Sequence, residues 1–156
     1  MNHIAEQVSR RRRLLGKAGG FTLIEIMVVL FIIGLLAAAI VPSVLSRIDA
    51  AKVAKAKQDV QSLETALTMY YMDNSKYPSN EQGLGALVQQ PTDPSIKNWK
   101  AGGYIERISM DPWGNDYQYV FPGTHGKAYD LFSLGADGQP GGDGINADIG
   151  NWNLNQ

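Results

Sequence analysis

The chain contains no cysteine and only two histidines among its 156 residues. Without cysteine, neither a disulfide framework nor a thiolate metal site can form. His3 belongs to the basic N-terminal stretch, and His125 lies between Gly123-Thr124 and Gly126, where we expect an exposed, structural residue. No serine lies in a nucleophile-elbow pattern, and no glycine-rich phosphate loop follows a predicted strand. The sequence offers no recognisable catalytic constellation, and we predict a protein that is not an enzyme.

Lysine and arginine are missing from the segment that begins at Ala128, which carries four aspartates. The near-neutral total charge hides an uneven split. Residues 1–20 hold five basic groups and one acid, so the remainder holds nine basic and fourteen acidic groups. The acidic end is a poor candidate for nucleic-acid binding and a better one for a cation.

One long apolar run extends from Phe21 to Val41. As a helix it would span about 32 Å, enough for the hydrocarbon core of a bilayer. Arg10 to Arg13 and Lys17 precede it, which predicts a cytoplasmic N-terminus and a C-terminal part across the membrane. A secretory signal would have its small-residue cleavage site after the apolar core, whereas Gly19-Gly20 precede this one.

Glu25 places a carboxylate just inside this apolar run. An intramembrane carboxylate costs several kcal/mol unless it is paired or protonated. An amine at the end of an adjacent helix would be a suitable partner. The alternative is a glutamate that snorkels to the nearby membrane edge.

Beyond Pro42 the apolar residues recur at helical spacing, which predicts an amphipathic helix over residues 43–73. It should end near Asp73, before Tyr77-Pro78. Gly34 and Pro42 predict a kink or a local loss of helix between them.

Residues 74–156 are predicted to form a small head. Ser79 to Gln82 resembles a capping box that opens a short helix. Asp111 to Asn115 is a turn sequence, followed by alternating aromatic residues typical of a strand from Tyr117 to Phe121 and by a second strand from Ala128 through Leu134. We therefore predict an α+β fold, a long N-terminal helix packed against a small C-terminal antiparallel sheet.

The stretch from Ser133 to Asp148 is rich in glycine, aspartate and asparagine. Calcium takes six to eight oxygens on a flexible loop, and glycines let backbone carbonyls supplement the carboxylates. The twelve residues from Asp137 to Asp148 are not an EF-hand, because glutamine stands at the third position, glycine at the fifth and aspartate rather than glutamate at the twelfth. By composition alone, such a stretch is either a solvated turn or a calcium loop.

The segment Gly20-Phe21-Thr22-Leu23-Ile24-Glu25 resembles the type III signal of type IV pilins and type II secretion pseudopilins. The resemblance implies that a prepilin peptidase cuts between Gly20 and Phe21 and methylates the new amine. It implies a cleaved leader at 1–20, a transmembrane helix at 21–42 and a periplasmic domain at 43–156. Glu25 would then pair with the N-terminus of a neighbouring subunit during filament assembly.

The head resembles the major, G-type class of pseudopilins. The motifs are Tyr77-Pro78, Glu81 to Leu84 with Ala86-Leu87, Asp111 to Asn115, Ser133 to Gly138, Asp148-Ile149 and Asn151-Trp152. Major pseudopilins bind a structural calcium ion in this C-terminal loop.

By position, the Leu134 carbonyl and the Asp137 carboxylate match that family's calcium ligands. Asp143, Asn146 and Asp148 match less closely, because some relatives place an aspartate where this chain has Gly144.

The resemblance implies the major subunit of a type II secretion pseudopilus, which polymerises into the periplasm to drive folded proteins across the outer membrane. The expected partners are further copies of the chain, minor pseudopilins, the prepilin peptidase and the inner-membrane secretion platform with its ATPase. A type IV pilin is the alternative, disfavoured by the missing cysteines. A membrane-anchored calcium-dependent enzyme is less favoured, because no catalytic constellation is present.

Overall fold

One long helix and three short strands organise residues 20–155, the part of the chain that this computed structural model describes. The predicted leader therefore lies outside the described residues, apart from Gly20. The elements, in chain order, are α1 (Leu23–Asn74), a 3₁₀ turn (Gly83–Leu87), β1 (Gln118–Val120), β2 (Asp130–Ser133), a second 3₁₀ turn (Gly144–Asn146) and β3 (Ile149–Gly150).

Helix α1 ends where the sequence predicts, because Asn74 is its last residue and Ser75 adopts a left-handed φ of 58°. Of the kink or local loss of helix expected between Gly34 and Pro42, the local loss is not observed, because α1 includes both residues.

The chain divides into two compact units, with the boundary between Val41 and Pro42. In the first, the apolar side chains of α1 are exposed; Phe31, for example, exposes 67% of its surface. The helix is long and apolar enough there to cross a membrane. A soluble helix that is apolar on all sides would normally be buried, so this exposure suits a lipid environment.

The second unit has its core between the C-terminal half of α1 and the head. Val60, Leu67 and Tyr70 of α1 are fully buried, as are Leu87 and Leu131 of the head. Full burial of such side chains contributes about 1.5–3 kcal/mol each. The predicted packing of the sheet on this half of the helix is therefore confirmed.

The sheet is antiparallel, with strand order β1-β2-β3. Tyr119 lies opposite Leu131, and Ser133 lies opposite Ile149. The two predicted strands are confirmed, although both are shorter than expected. The third strand was not predicted, because two residues are too few to show an alternating pattern.

The predicted capping box is confirmed in residues 79–82, immediately before the first 3₁₀ turn. The backbone N–H of Ser79 donates to Gln82 Oε1 at 3.0 Å, and the N–H of Gln82 donates to Ser79 Oγ at 3.3 Å. The short helix that follows is 3₁₀ rather than α and runs from Gly83 to Leu87.

Candidate functional site

Two regions bring the predicted site residues into defined geometry: the start of α1 and the C-terminal loop. At the start of α1, Thr22 and Glu25 cap each other. The Thr22 N–H and hydroxyl donate to Glu25 Oε2 at 2.7 and 2.9 Å, while the Glu25 N–H donates to Thr22 Oγ1 at 3.3 Å. Such a reciprocal capping box satisfies orphan donors in the first turn of a helix.

This second role of Glu25 was not predicted, although the Thr-x-x-Glu spacing is the sequence signature of a capping box. The carboxylate is exposed and has partners within its own chain. Gly20 and Phe21, just before the cap, are exposed as well.

The C-terminal loop, residues 134–148, is closed by hydrogen bonds between its two limbs. The N–H of Ala136 donates to the Ile145 carbonyl at 2.9 Å, and the N–H of Asp148 donates to the Gly141 carbonyl at 3.1 Å. The loop is therefore ordered by its own backbone.

Gly135 and Gly142 allow the limbs to approach so closely. Both have positive φ, and a Cβ on either would lie under 3 Å from backbone atoms of Asn146. Any side chain at these positions would force the limbs apart. The loop thus requires glycine at both positions for steric and conformational reasons.

Asp148 is the predicted ligand with the most informative surroundings. Its Oδ2 accepts from the Gly141 N–H at 3.0 Å, whereas its Oδ1 is buried and has no hydrogen-bond partner within residues 20–155. A buried carboxylate oxygen without a partner is costly. A bound cation would remove that cost, so Asp148 fits a metal ligand.

The other predicted ligands are placed differently. Asp137 is exposed, and its Oδ1 accepts from the Gln139 N–H at 3.1 Å. Asp143 is exposed, while Asn146 and Leu134 are half-buried. Within residues 20–155, no three Asp, Glu, His or Cys side chains cluster as a metal cage. Any cation held here would rely on backbone and amide oxygens beside one or two carboxylates, a donor set that calcium accepts.

A buried polar group anchors the start of this loop. Asp111 is 5% exposed, and its Oδ1 accepts from the N–H groups of Trp113 and Asn115 at 3.0 and 2.8 Å. Its Oδ2 accepts from the hydroxyl of the fully buried Ser133 at 2.5 Å. The Ser133 oxygen in turn accepts from the Gly135 N–H at 3.1 Å. Sequence analysis identified the turn but not this link to the loop.

His125 is exposed and structural, as predicted. Its Nδ1 lies 2.9 Å from Asp130 Oδ2, and its ring stacks on Trp152 at a centroid separation of 3.8 Å. Burial alone would raise the pKa of Asp130, but hydrogen bonds from Thr124 and His125 outweigh it and lower the pKa to about 2. The group braces the 123–130 turn.

Comparison with known proteins identifies two family models in the chain. Residues 43–152 match the model described as type II secretion system (T2SS), protein G, and residues 15–41 match the prokaryotic N-terminal methylation motif. The first match covers more than half of the chain.

Curated relatives agree with these models. The chain is 58% identical to the type II secretion system core protein G of Pseudomonas aeruginosa over 134 residues, covering 85% of this chain and 94% of the relative. It is 55% identical to the protein of the same name from Vibrio cholerae over 138 residues, covering 88% and 94%.

A solved structure also resembles the chain. The crystal structure of the major pseudopilin from the type 2 secretion system of enterohaemorrhagic Escherichia coli superposes with a TM-score of 0.61 at 45% sequence identity. The match covers 69% of this chain and 92% of that one.

Proposed function

This chain belongs to the protein G family of type II secretion systems, and from that premise we propose that it is the major subunit of a secretion pseudopilus. It polymerises from the inner membrane into the periplasm and helps to drive folded proteins across the outer membrane. The observation that carries the proposal is the match of residues 43–152 to protein G together with the methylation motif at residues 15–41.

The working topology follows from the apolar segment. Residues 21–42 anchor the subunit in the inner membrane, with the basic leader in the cytoplasm and residues 43–156 in the periplasm. The exposed apolar side chains of α1 support this arrangement. The partners are further copies of the chain, minor pseudopilins and the inner-membrane platform, and no catalytic role is assigned to the subunit.

Processing precedes assembly in this proposal. A prepilin peptidase removes residues 1–20 and methylates the amine of Phe21. Mass spectrometry of the protein isolated from its own host should therefore find N-methylated Phe21 as the first residue. Any other mature N-terminus would contradict the processing step.

The C-terminal loop holds a structural calcium ion in the assembled protein. Calcium supplies positive charge to a loop that its three aspartates would otherwise push open, and it supports folding without taking part in a reaction. The residues that would hold it are Leu134 through its carbonyl, Asp137, Asp143, Asn146 and Asp148. The unpartnered Oδ1 of Asp148 is the observation in favour of this ion.

Gene deletion in the native host tests the secretory role. Exoproteins should then accumulate in the periplasm instead of the medium, and the wild-type gene should restore them to the medium. A periplasmic protein that is exported only across the inner membrane serves as the control and should be unaffected. Unchanged exoprotein levels in the medium of the deletion strain would refute the proposal.

A further inference from the structure

The turn from Asp111 to Asn115 is linked by hydrogen bonds to Gly135 of the C-terminal loop, although the two are far apart in the sequence. Ser133 Oγ accepts from the Gly135 N–H at 3.1 Å, and Asn115 Nδ2 donates to the Gly135 carbonyl at 3.4 Å. Both polar groups of one loop residue are therefore held by side chains.

The Gly135 N–H belongs to the same peptide unit as the Leu134 carbonyl. That unit is trans and planar, so its N–H and C=O point in opposite directions. When Ser133 fixes the direction of the N–H, it also fixes the direction of the Leu134 carbonyl oxygen. Leu134 is the backbone ligand that the calcium proposal requires.

The Ser133 hydroxyl has little freedom of its own. It is fully buried and donates to Asp111 Oδ2 at 2.5 Å. Asp111 is buried too, and its other oxygen accepts two backbone N–H groups. A side chain locked in this way presents its oxygen to Gly135 in one orientation.

Gly135 also lies close to the backbone of the opposite limb of the loop. A Cβ on Gly135 would lie 2.7 Å from the Asn146 carbonyl carbon and 2.9 Å from the Ala147 carbonyl oxygen. Gly135 thus sits directly against the backbone that leads to Asp148. When the position of Gly135 is held, the distance between the limb that carries Leu134 and the limb that carries Asp148 is held as well.

We propose that Ser133, oriented by Asp111 and assisted by Asn115, is a positioning residue that pre-orients the Leu134 carbonyl for calcium. The proposal rests on the calcium site put forward above. Outer groups that orient metal ligands typically change affinity 10–100-fold when they are removed.

Calcium titration of the full mature chain in detergent micelles tests this role. Ser133→Ala and Asn115→Ala should each raise the calcium Kd, about tenfold or more for Ser133→Ala. The melting temperature in EGTA is measured beside each Kd, because a purely structural role would lower that temperature without changing the Kd.

Ser79→Ala is the matched control. Ser79 Oγ also accepts a backbone N–H, that of Gln82, but in the turn just before the first 3₁₀ turn, away from the C-terminal loop. This variant should lose some stability and keep the wild-type Kd.

The outcomes separate the two proposals. A wild-type chain that binds no calcium would overturn the calcium site and the positioning role together. Wild-type binding with an unchanged Kd in Ser133→Ala would overturn only the positioning role. If Ser133→Ala is unfolded in EGTA, Asn115→Ala decides by the same criterion, since its side chain is only half-buried.

Discussion

Thr22 and Glu25 hydrogen-bond each other reciprocally at the start of α1, through three contacts between 2.7 and 3.3 Å. The carboxylate that the assembly hypothesis reserves for a neighbouring subunit thus already caps its own helix. Pairing with a second chain must compete with, or add to, these intrachain bonds. The capping role and the charge of Glu25 can be separated by substitution.

Glu25→Gln should block filament assembly, because glutamine can still cap the helix but cannot pair electrostatically with an amine. Glu25→Ala, which loses both roles, should leave cleavage and membrane insertion largely intact and assemble no better than Glu25→Gln. The measurement is the fraction of protein recovered in sheared filaments, with the mature N-terminus checked by mass spectrometry. Thr22→Ala is the companion variant that weakens the cap and keeps the charge.

Normal filament yield from Glu25→Gln would contradict the pairing hypothesis. A defect in Thr22→Ala as severe as that in Glu25→Gln would assign the importance of this segment to the cap instead.

Structural features that follow from a periodic sequence pattern could be predicted. Single contacts between residues far apart in the sequence could not. The helical spacing of the apolar residues beyond Pro42 predicted a buried face of α1, on which Val60 and Leu67 lie, since helical period is a local property. Asp111 and Asn151 are buried because of partners far along the chain: Asn151 Nδ2 donates to the Tyr129 carbonyl. No local sequence pattern predicts such pairs of contacting residues.

The candidate calcium site shows the same division. The residue composition was enough to identify the loop and its oxygen donors. The burial of Asp148 Oδ1 depends on the folded loop and could not be predicted from composition. The contact between Ser133 and Asp111 likewise joins residues 22 positions apart.

Calcium should raise the melting temperature of the full mature chain. At calcium concentrations a hundredfold above Kd the gain is about 2.7 kcal/mol, which corresponds to a shift on the order of 10 °C. Asp148→Asn should lose most of this shift, because the amide cannot replace the charge of the carboxylate, whose Oδ1 is buried. Differential scanning calorimetry in calcium and in EGTA measures both.

Asp116→Asn is the control, since Asp116 is an exposed head aspartate outside the loop. Asp143→Asn should have a smaller effect than Asp148→Asn, because Asp143 is exposed. Identical melting temperatures with and without calcium for the wild-type chain would argue against the ion.

Lowering the pH should reduce the free energy of unfolding of the head, because Asp130 becomes protonated. Its folded-state pKa of about 2 lies below the value of about 3.9 for an unfolded aspartate. Its contribution, on the order of 2 kcal/mol, is therefore fully present above about pH 4 and is lost as the pH falls from about 4 to about 2. Asp130→Asn should be less stable than the wild type near neutral pH, and the gap should close with acid.

Thermal unfolding at stepped pH, in EGTA, checks the Asp130 prediction. Asp116→Asn should show no comparable gap at any pH. A constant difference between Asp130→Asn and the wild type down to pH 2 would mean that the loss arises from packing rather than from the ionised carboxylate.

Tyr70→Phe should leave stability unchanged or raise it slightly. The Tyr70 side chain is fully buried, and its hydroxyl has no hydrogen-bond partner in the part of the chain that the structure describes, so the oxygen imposes a desolvation cost that phenylalanine avoids. The ring contact with Tyr104, at a centroid distance of 5.4 Å, would remain. Tyr119→Phe is the matched control, because its hydroxyl donates to the Pro78 carbonyl at 2.9 Å and its loss should cost about 1 kcal/mol. Urea denaturation of both variants compares them directly. Equal destabilisation would show that the Tyr70 hydroxyl has a stabilising partner in solution.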